Sequence, residues 1–190
     1  MIRDAHDKGY ETTLNLMALS AVPEHELRIA LEEVVEKSPV NVLYVVDSFG
    51  ALYSEQIRDY VKLFVRVAGP GRQVGIHTHN NMQLAYANTI EALVAGANRL
   101  DVTINGLGRG AGNCPMELLL SFLKNPKFNV RPVLECIEKH FFPLRKTIPW
   151  GYSIPHMVSG MLNQHPRESI AWMESDHPDA IVGFYDKMIE

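Results

Sequence analysis

Residues 75–81, Gly-Ile-His-Thr-His-Asn-Asn, set two histidines one residue apart at the end of an apolar run that includes Val74 and Ile76. In a strand, side chains at i and i+2 leave on the same face, so His77 and His79 are expected to project together from the strand's C-terminal end. Two neutral imidazoles a few ångströms apart are half of a divalent-metal site. A His-x-His pair also occurs as a plain polar strand end, and the pair alone does not choose between the two. Two other stretches carry unusual chemistry. Asp47-Ser48-Phe49-Gly50 closes the apolar run 40–46, and Gly106-Leu-Gly-Arg-Gly-Ala-Gly-Asn113 follows the segment Arg99 to Ile104.

The elements that must position these residues alternate along the chain. Residues 1–9 read as a helix tail ending at a glycine cap, and residues 12–17 as a short strand. Pro23 opens a helix to Lys37 with Leu27, Ala30, Leu31, Val34 and Val35 along one face. Val40 to Val46 is nearly all apolar, the mark of a strand buried on both sides. Helix 54–67 carries Ile57, Tyr60, Val61 and Phe64, and Gly69-Pro-Gly71 ends it before strand 73–77. A third helix spans 82–95, a fourth strand 99–104, and a further helix runs from Cys114-Pro115 to Leu123. Strand followed by helix about every 30 residues is the rhythm of βα units on a parallel sheet. In such sheets, sites form at the strands' C-terminal ends, where the histidines, Asp47-Ser48 and the glycine run all fall. That recurrence favours the functional reading of the histidines.

Composition bounds the alternatives. The 190 residues are 46% hydrophobic and 21% charged, ordinary for a globular chain. A net charge of −4 without a basic stripe argues against nucleic acid as a partner. No apolar run is long enough to span a membrane, and Arg3, Asp4, Asp7 and Lys8 break any leader-like stretch. Cys114 and Cys136 have neither metal-ligand spacing nor the number for a disulfide framework, which fits a reducing cytoplasm. Gly106-x-Gly108-x-x-Ala111 imitates a dinucleotide fingerprint, but residues 127–142 read as a helix where that fold needs a second strand ending in an acid. The run reads better as a close turn at the mouth of a site. Its amides and the helix start at Pro115 would be placed to hold an anion.

His77-Thr-His79-Asn-Asn, Ala87-Asn88-Thr-Ile, Arg99-Leu-Asp101 and Gly106-Leu-Gly-Arg-Gly-Ala-Gly-Asn113-Cys-Pro115 together resemble the C-terminal half of the metal-dependent pyruvate aldolases. The likeness is to the 4-hydroxy-2-oxovalerate aldolase branch of a superfamily that includes hydroxymethylglutaryl-CoA lyase and isopropylmalate synthase. Val46-Asp47-Ser48-Phe-Gly50 is similar to the Asp-Ser-Gly-Gly turn of that branch. The resemblance implies that His77 and His79 bind Mn²⁺ or Mg²⁺ and that His77 lies at the substrate. It also implies that Ser48 contacts the pyruvoyl part of the substrate and that Asn113 lies near the metal and substrate. The implied reaction is a lyase step, cleavage of a 4-hydroxy-2-keto acid to pyruvate and an aldehyde. In Gly151-Tyr-Ser-Ile-Pro-His156, a histidine stands near the position of a pocket tyrosine of the aldolases, and His156 is taken as a candidate hydrogen-bond donor or proton shuttle.

The departures are equally specific. The resemblance implies an eight-stranded barrel of about 250 residues whose first strand ends in an Arg-Asp pair supplying the third ligand and steadying the enolate. The chain shows four strands. Arg3-Asp4 lies in a helical tail and reads as surface charge, as do His6 and His25 on helices. The expected fold is therefore α/β, a partial TIM barrel made of the last four βα units (residues 1–125) with a C-terminal helical extension (126–190), in which Met157, Met161 and Leu162 pack as core. Four such strands leave sheet edges without partners, so a homo-oligomer or a missing N-terminal half is expected to complete the protein. A non-catalytic half-barrel module and a CoA-thioester lyase or synthase are the alternative functions.

Overall fold

The computed structural model describes all 190 residues and resolves them into two compact units. The first is built from residues 1–48, 52–77 and 87–101, the second from 49–51, 78–86 and 102–190.

The first unit holds the sheet. Helix α1 (Ile2–Asp7) precedes β1 (Thr13–Leu16), α2 (Glu24–Lys37), β2 (Val42–Asp47), α3 (Ser54–Ala68), β3 (Gln73–Thr78), α4 (Ala85–Ala95) and β4 (Arg99–Asp101). The strands lie in the order β1-β2-β3-β4, with β1 parallel to β2 and β3 parallel to β4. Sequence order and spatial order coincide, as short βα units dictate. All six residues of β2 are buried. Its alternation divides them: Leu43 and Val45 pack with Leu27 and Leu31 of α2 and Ile57, Val61 and Phe64 of α3, while Val42, Tyr44 and Val46 form a separate cluster. Helix α3 follows its 3.6-residue stripe through Ile57, Val61, Phe64 and Ala68 and stops at Gly69, whose φ is +65°.

Two boundaries and one helix face differ from the sequence pattern, each for a local reason. Helix α4 starts at Ala85 rather than 82, because Asn80 closes a turn first: its carbonyl accepts from Gln83 and its side-chain oxygen from the Ala85 amide. Strand β4 ends at Asp101, and residues 104–106 form a 3-10 turn with Asn105 in the left-handed region at φ +54°. Ala30 is exposed, since the buried stripe of α2 narrows to Leu27 and Leu31.

The second unit is helical from Met116 onward: α5 (Met116–Leu123), α6 (Arg131–Cys136) running through a π turn at 137–141 into α7 (Phe142–Leu144), then α8 (Ile154–Met161), α9 (Arg167–Met173) and α10 (Ile181–Ile189). Its apolar centre is Val158, Phe184 and Met188, with Met157, Leu162 and Trp172 against it. Met161, expected in the core, is instead 47% exposed, because the inward stripe of α8 passes through Val158. No helix is long and apolar enough to cross a membrane.

Gly75 of β3 is the tightest position in the sheet, since a Cβ there would overlap the ring of Tyr44. Gly75→Ala is expected to destabilise the chain by about 1–3 kcal/mol through overpacking. A double-mutant cycle with Tyr44→Leu, read by urea unfolding, should recover most of that loss.

Candidate functional site

In the first unit, the register of the parallel pair sets His77 of β3 directly beside Asp101 of β4. The imidazole Nδ1 lies 3.4 Å from Asp101 Oδ2. The same carboxylate accepts a hydrogen bond from the Tyr44 hydroxyl, although Tyr44 stands on β2 with β3 between them. Bare Gly75 explains the reach, because the Tyr44 ring lies across the space a side chain would fill. Burial foremost, and then Asp101, pushes the Tyr44 hydroxyl up to about 12. Tyr44 is therefore a fixed proton donor to Asp101 at neutral pH. Asp101 in turn favours the His77 tautomer protonated on Nδ1, which leaves the lone pair on Nε2, the tautomer found where a carboxylate orients a ligating histidine.

The Asp47-Ser48 turn is buried. Asp47 accepts from the Leu52 amide at 3.4 Å, and Ser48 Oγ accepts from the Ala18 amide at 2.8 Å. Asn88 donates to the Leu52 carbonyl at 2.7 Å. The turn after β2 is thus fixed by side-chain bonds.

In the second unit, His79 lies one residue beyond β3 rather than within it. It forms an antiparallel bridge with Asn113, and the Asn80 amide donates to the Gly112 carbonyl at 2.9 Å. The glycines of 106–112 make room for Asn113: a Cβ on Gly108 would come within 2.6 Å of its Nδ2, and one on Gly112 would overlap the Gly106 carbonyl. Asn113 Nδ2 donates to the Leu107 carbonyl at 3.1 Å, whereas its Oδ1 is buried without a partner. Of the loop amides expected to cradle an anion, four are already engaged. The amides of Gly106, Leu107, Gly112 and Asn113 donate to carbonyls within the loop and its flank, and that of Met116 to the Thr103 carbonyl.

His156 lies not in a loop but in the first turn of α8, whose N-cap is Ser153. It is 3% exposed, with Nδ1 2.9 Å from Ser169 Oγ. Ser169 donates its own proton to the Pro166 carbonyl at 2.8 Å, so the imidazole is the donor to Ser169 and its Nε2 carries the lone pair. That edge of the ring faces Gly110 on the wall of a cavity of about 410 Å³ that Trp150, Tyr152, Ile170 and Met173 also line. Asn81, from the His-Thr-His-Asn-Asn stretch, donates to the His156 carbonyl at 3.1 Å and to Ser159 Oγ at 3.3 Å. The sequence pattern quoted Asn81 and Asp101 without a role; their signal was position, a strand end beside one histidine and a turn after the other. Arg3, Asp4, His6 and His25 are exposed on helices, with Arg3 bound to the Lys37 carbonyl and Asp4 to Lys8.

As candidates for a metal, His77 and His79 fit in kind: borderline nitrogen donors, one of them oriented by a carboxylate. No three His, Cys, Asp or Glu side chains of the chain converge as a metal-holding group. Burial foremost, and then the Arg109 charge, hold His156 below the ordinary histidine value of 6.5. Such a group stabilises the fold fully above that value and progressively less as pH falls below it, because the unfolded chain takes up the proton first. Urea unfolding should therefore show a loss of stability as pH falls below about 6.5 that His156→Gln reduces. An unchanged slope in the variant would assign the loss to other groups.

Residues 1–138 match the HMGL-like family model. A 4-hydroxy-2-oxovalerate aldolase from Thermus thermophilus is 35% identical over 161 residues, 78% of this chain and 46% of that protein. The chain spans about a third to a half of the length of such curated relatives. Among solved structures, the N-terminal domain of an aldolase candidate from Bacteroides vulgatus superposes with a TM-score of 0.79 at 31% identity, over 96% of this chain and 60% of that one. The HMG-CoA lyase of Bacillus subtilis superposes with a TM-score of 0.66 at 21% identity, over 77% of this chain and 54% of that one, a likeness of fold of the TIM-barrel type. On the family match across most of its length, the chain belongs to the HMGL-like family.

Proposed function

We propose that the chain forms part of a divalent-metal-dependent lyase that cleaves a 4-hydroxy-2-keto acid to pyruvate and an aldehyde. The observation that carries this reading is the Asp101-oriented imidazole of His77, 3.4 Å from its carboxylate and two residues before a second histidine, in a chain of the HMGL-like family. His77 and His79 would hold Mn²⁺ or Mg²⁺. When bound, the ion draws electron density from the 2-keto acid and stabilises the enolate left by bond cleavage. Ser48 would bind the pyruvoyl end, and the partnerless Oδ1 of Asn113 would accept from the substrate hydroxyl. His156 would act as the proton carrier: its Nδ1–H is committed to Ser169 and its depressed basicity keeps Nε2 free to accept.

We further propose that residues 1–125 supply the last four βα units of the barrel, with 126–190 as a helical extension. The third ligand and the arginine that the reaction calls for would come from a missing half or a second copy. Two unbridged cysteines are in keeping with a reducing cytoplasm.

The test is pyruvate release from 4-hydroxy-2-oxovalerate, coupled to NADH oxidation, with and without Mn²⁺. Release is expected to stop on chelation, to return with Mn²⁺, and to fall by about 100-fold or more in His77→Ala and His79→Ala. Metal binding without turnover would favour a non-catalytic module. Turnover that survives both substitutions would overturn the mechanism.

A further inference from the structure

A second cavity, of about 240 Å³, opens beside the glycine loop and is lined by Asn80, Asn105, Asn113, Arg145, Trp150 and Gly151 among others. Two of the four buried side-chain polar atoms without a partner belong to its lining: the donor Nδ2 of Asn105 and the acceptor Oδ1 of Asn113. The Asn113 amide and the Asn105 main chain are both held in place. Asn113, 9% exposed, is fixed by its Nδ2 bond to the Leu107 carbonyl. Asn105 is pinned through its main chain, its amide donating to Glu117 at 3.1 Å and its carbonyl accepting from Trp150 Nε1 at 2.9 Å. Glu117 is thereby turned to a backbone amide. A buried donor and a buried acceptor left unpaired are each destabilising, and a ligand of matching polarity would offset that loss.

Charge adds the third element. Arg145 donates Nη2 to the Trp150 carbonyl at 3.3 Å and sits 5.5 Å from the Trp150 ring centroid. Gly151 lets it lie there, since a Cβ would come within 2.8 Å of Nη2 and the backbone φ is +117°. The guanidinium keeps further donors in its rigid fork, the geometry that matches a carboxylate. The cavity therefore offers a cation and an amide donor for an oxyanion, and one acceptor for a hydroxyl.

We propose that this cavity is a subsite for a carboxylate borne on the carbon next to a hydroxyl, so that the substrate is a 4-hydroxy-2-oxo diacid. The assignment rests on the aldolase reading above and deepens it. Arg145 and Asn105 take the carboxylate at C5, and Asn113 takes the hydroxyl at C4. The C3–C4 bond breaks and its electron pair goes to C3. The C4 hydroxyl gives its proton to the proton carrier, His156 in that reading, and becomes a carbonyl, and the carrier returns a proton to C3. The products are pyruvate and a 2-oxo acid, with no oxidant or reductant consumed.

Two measurements on the full chain separate the subsite from the reaction. In the first, NMR titrations with lactate, propionate and 1,2-propanediol compare the hydroxycarboxylate with probes lacking one group each. Lactate is expected to bind about tenfold more tightly than either, and Arg145→Met to remove that margin while Arg145→Lys keeps part of it. Equal binding of the three, no binding, or an unaffected Arg145→Met would leave ordered water as the occupant and overturn the proposal. In the second, 4-hydroxy-2-oxoglutarate is expected to exceed 4-hydroxy-2-oxovalerate by about tenfold in kcat/KM, with Arg145→Met abolishing the preference. Equal turnover of the two acids overturns the diacid assignment and leaves the aldolase reading standing. Selective lactate binding with turnover of neither acid overturns the aldolase reading and leaves the hydroxycarboxylate subsite.

Discussion

One contact organises the first unit's half of the chemistry: the Asp101 carboxylate held between the Tyr44 hydroxyl and the His77 imidazole. It draws on three adjacent strands. The hydroxyl comes from β2, the imidazole from β3 and the carboxylate from β4, and the geometry closes because residue 75 has no side chain. A carboxylate with two donors is held in one orientation, and an imidazole with a committed Nδ1 presents a defined Nε2. The sheet does more than carry His77 to its end. It fixes which nitrogen is offered.

The second unit repeats the logic with different atoms. Ser169, itself committed to the Pro166 carbonyl, sets the tautomer of His156 as Asp101 sets that of His77. Burial foremost, and then the Arg109 charge, leave His156 a weak base, whereas an anionic partner would make it a stronger one. The two imidazoles differ in setting: one stands beside a carboxylate, the other is buried against a serine. Asn81 binds the turn that follows His79 to the helix that carries His156, so displacement of that helix would be felt at the histidine motif.

Much of this was legible in the sequence. The four strands and their helices followed from apolar runs and glycine breaks, and β2 buries all six of its residues, as its composition required. The histidine pair, the glycine loop and Asn113 were found because they fall together at strand ends. What the sequence did not show was the pairing of partners far apart in the chain. Asp101 meets His77 only through the register of β3 and β4, and Tyr44 meets Asp101 only across Gly75. The glycine loop misled in one respect. Its glycines suggest amides open to an anion, yet those of Gly106, Leu107, Gly112 and Asn113 are already engaged, and Gly108 and Gly112 serve to seat Asn113. Asn105 and Arg145 carried no pattern at all, because a cavity wall has no period.

The central claim is that His77, oriented by Asp101, is a metal ligand. The free-Mn²⁺ EPR signal, titrated with the native chain and with His77→Ala, Asp101→Asn and Tyr44→Phe, tests it most directly. The account predicts binding by the native chain, loss of binding in His77→Ala, and an affinity about 10–100-fold weaker in Asp101→Asn, with a smaller loss in Tyr44→Phe. Equal Mn²⁺ affinity in the native chain and His77→Ala would contradict it.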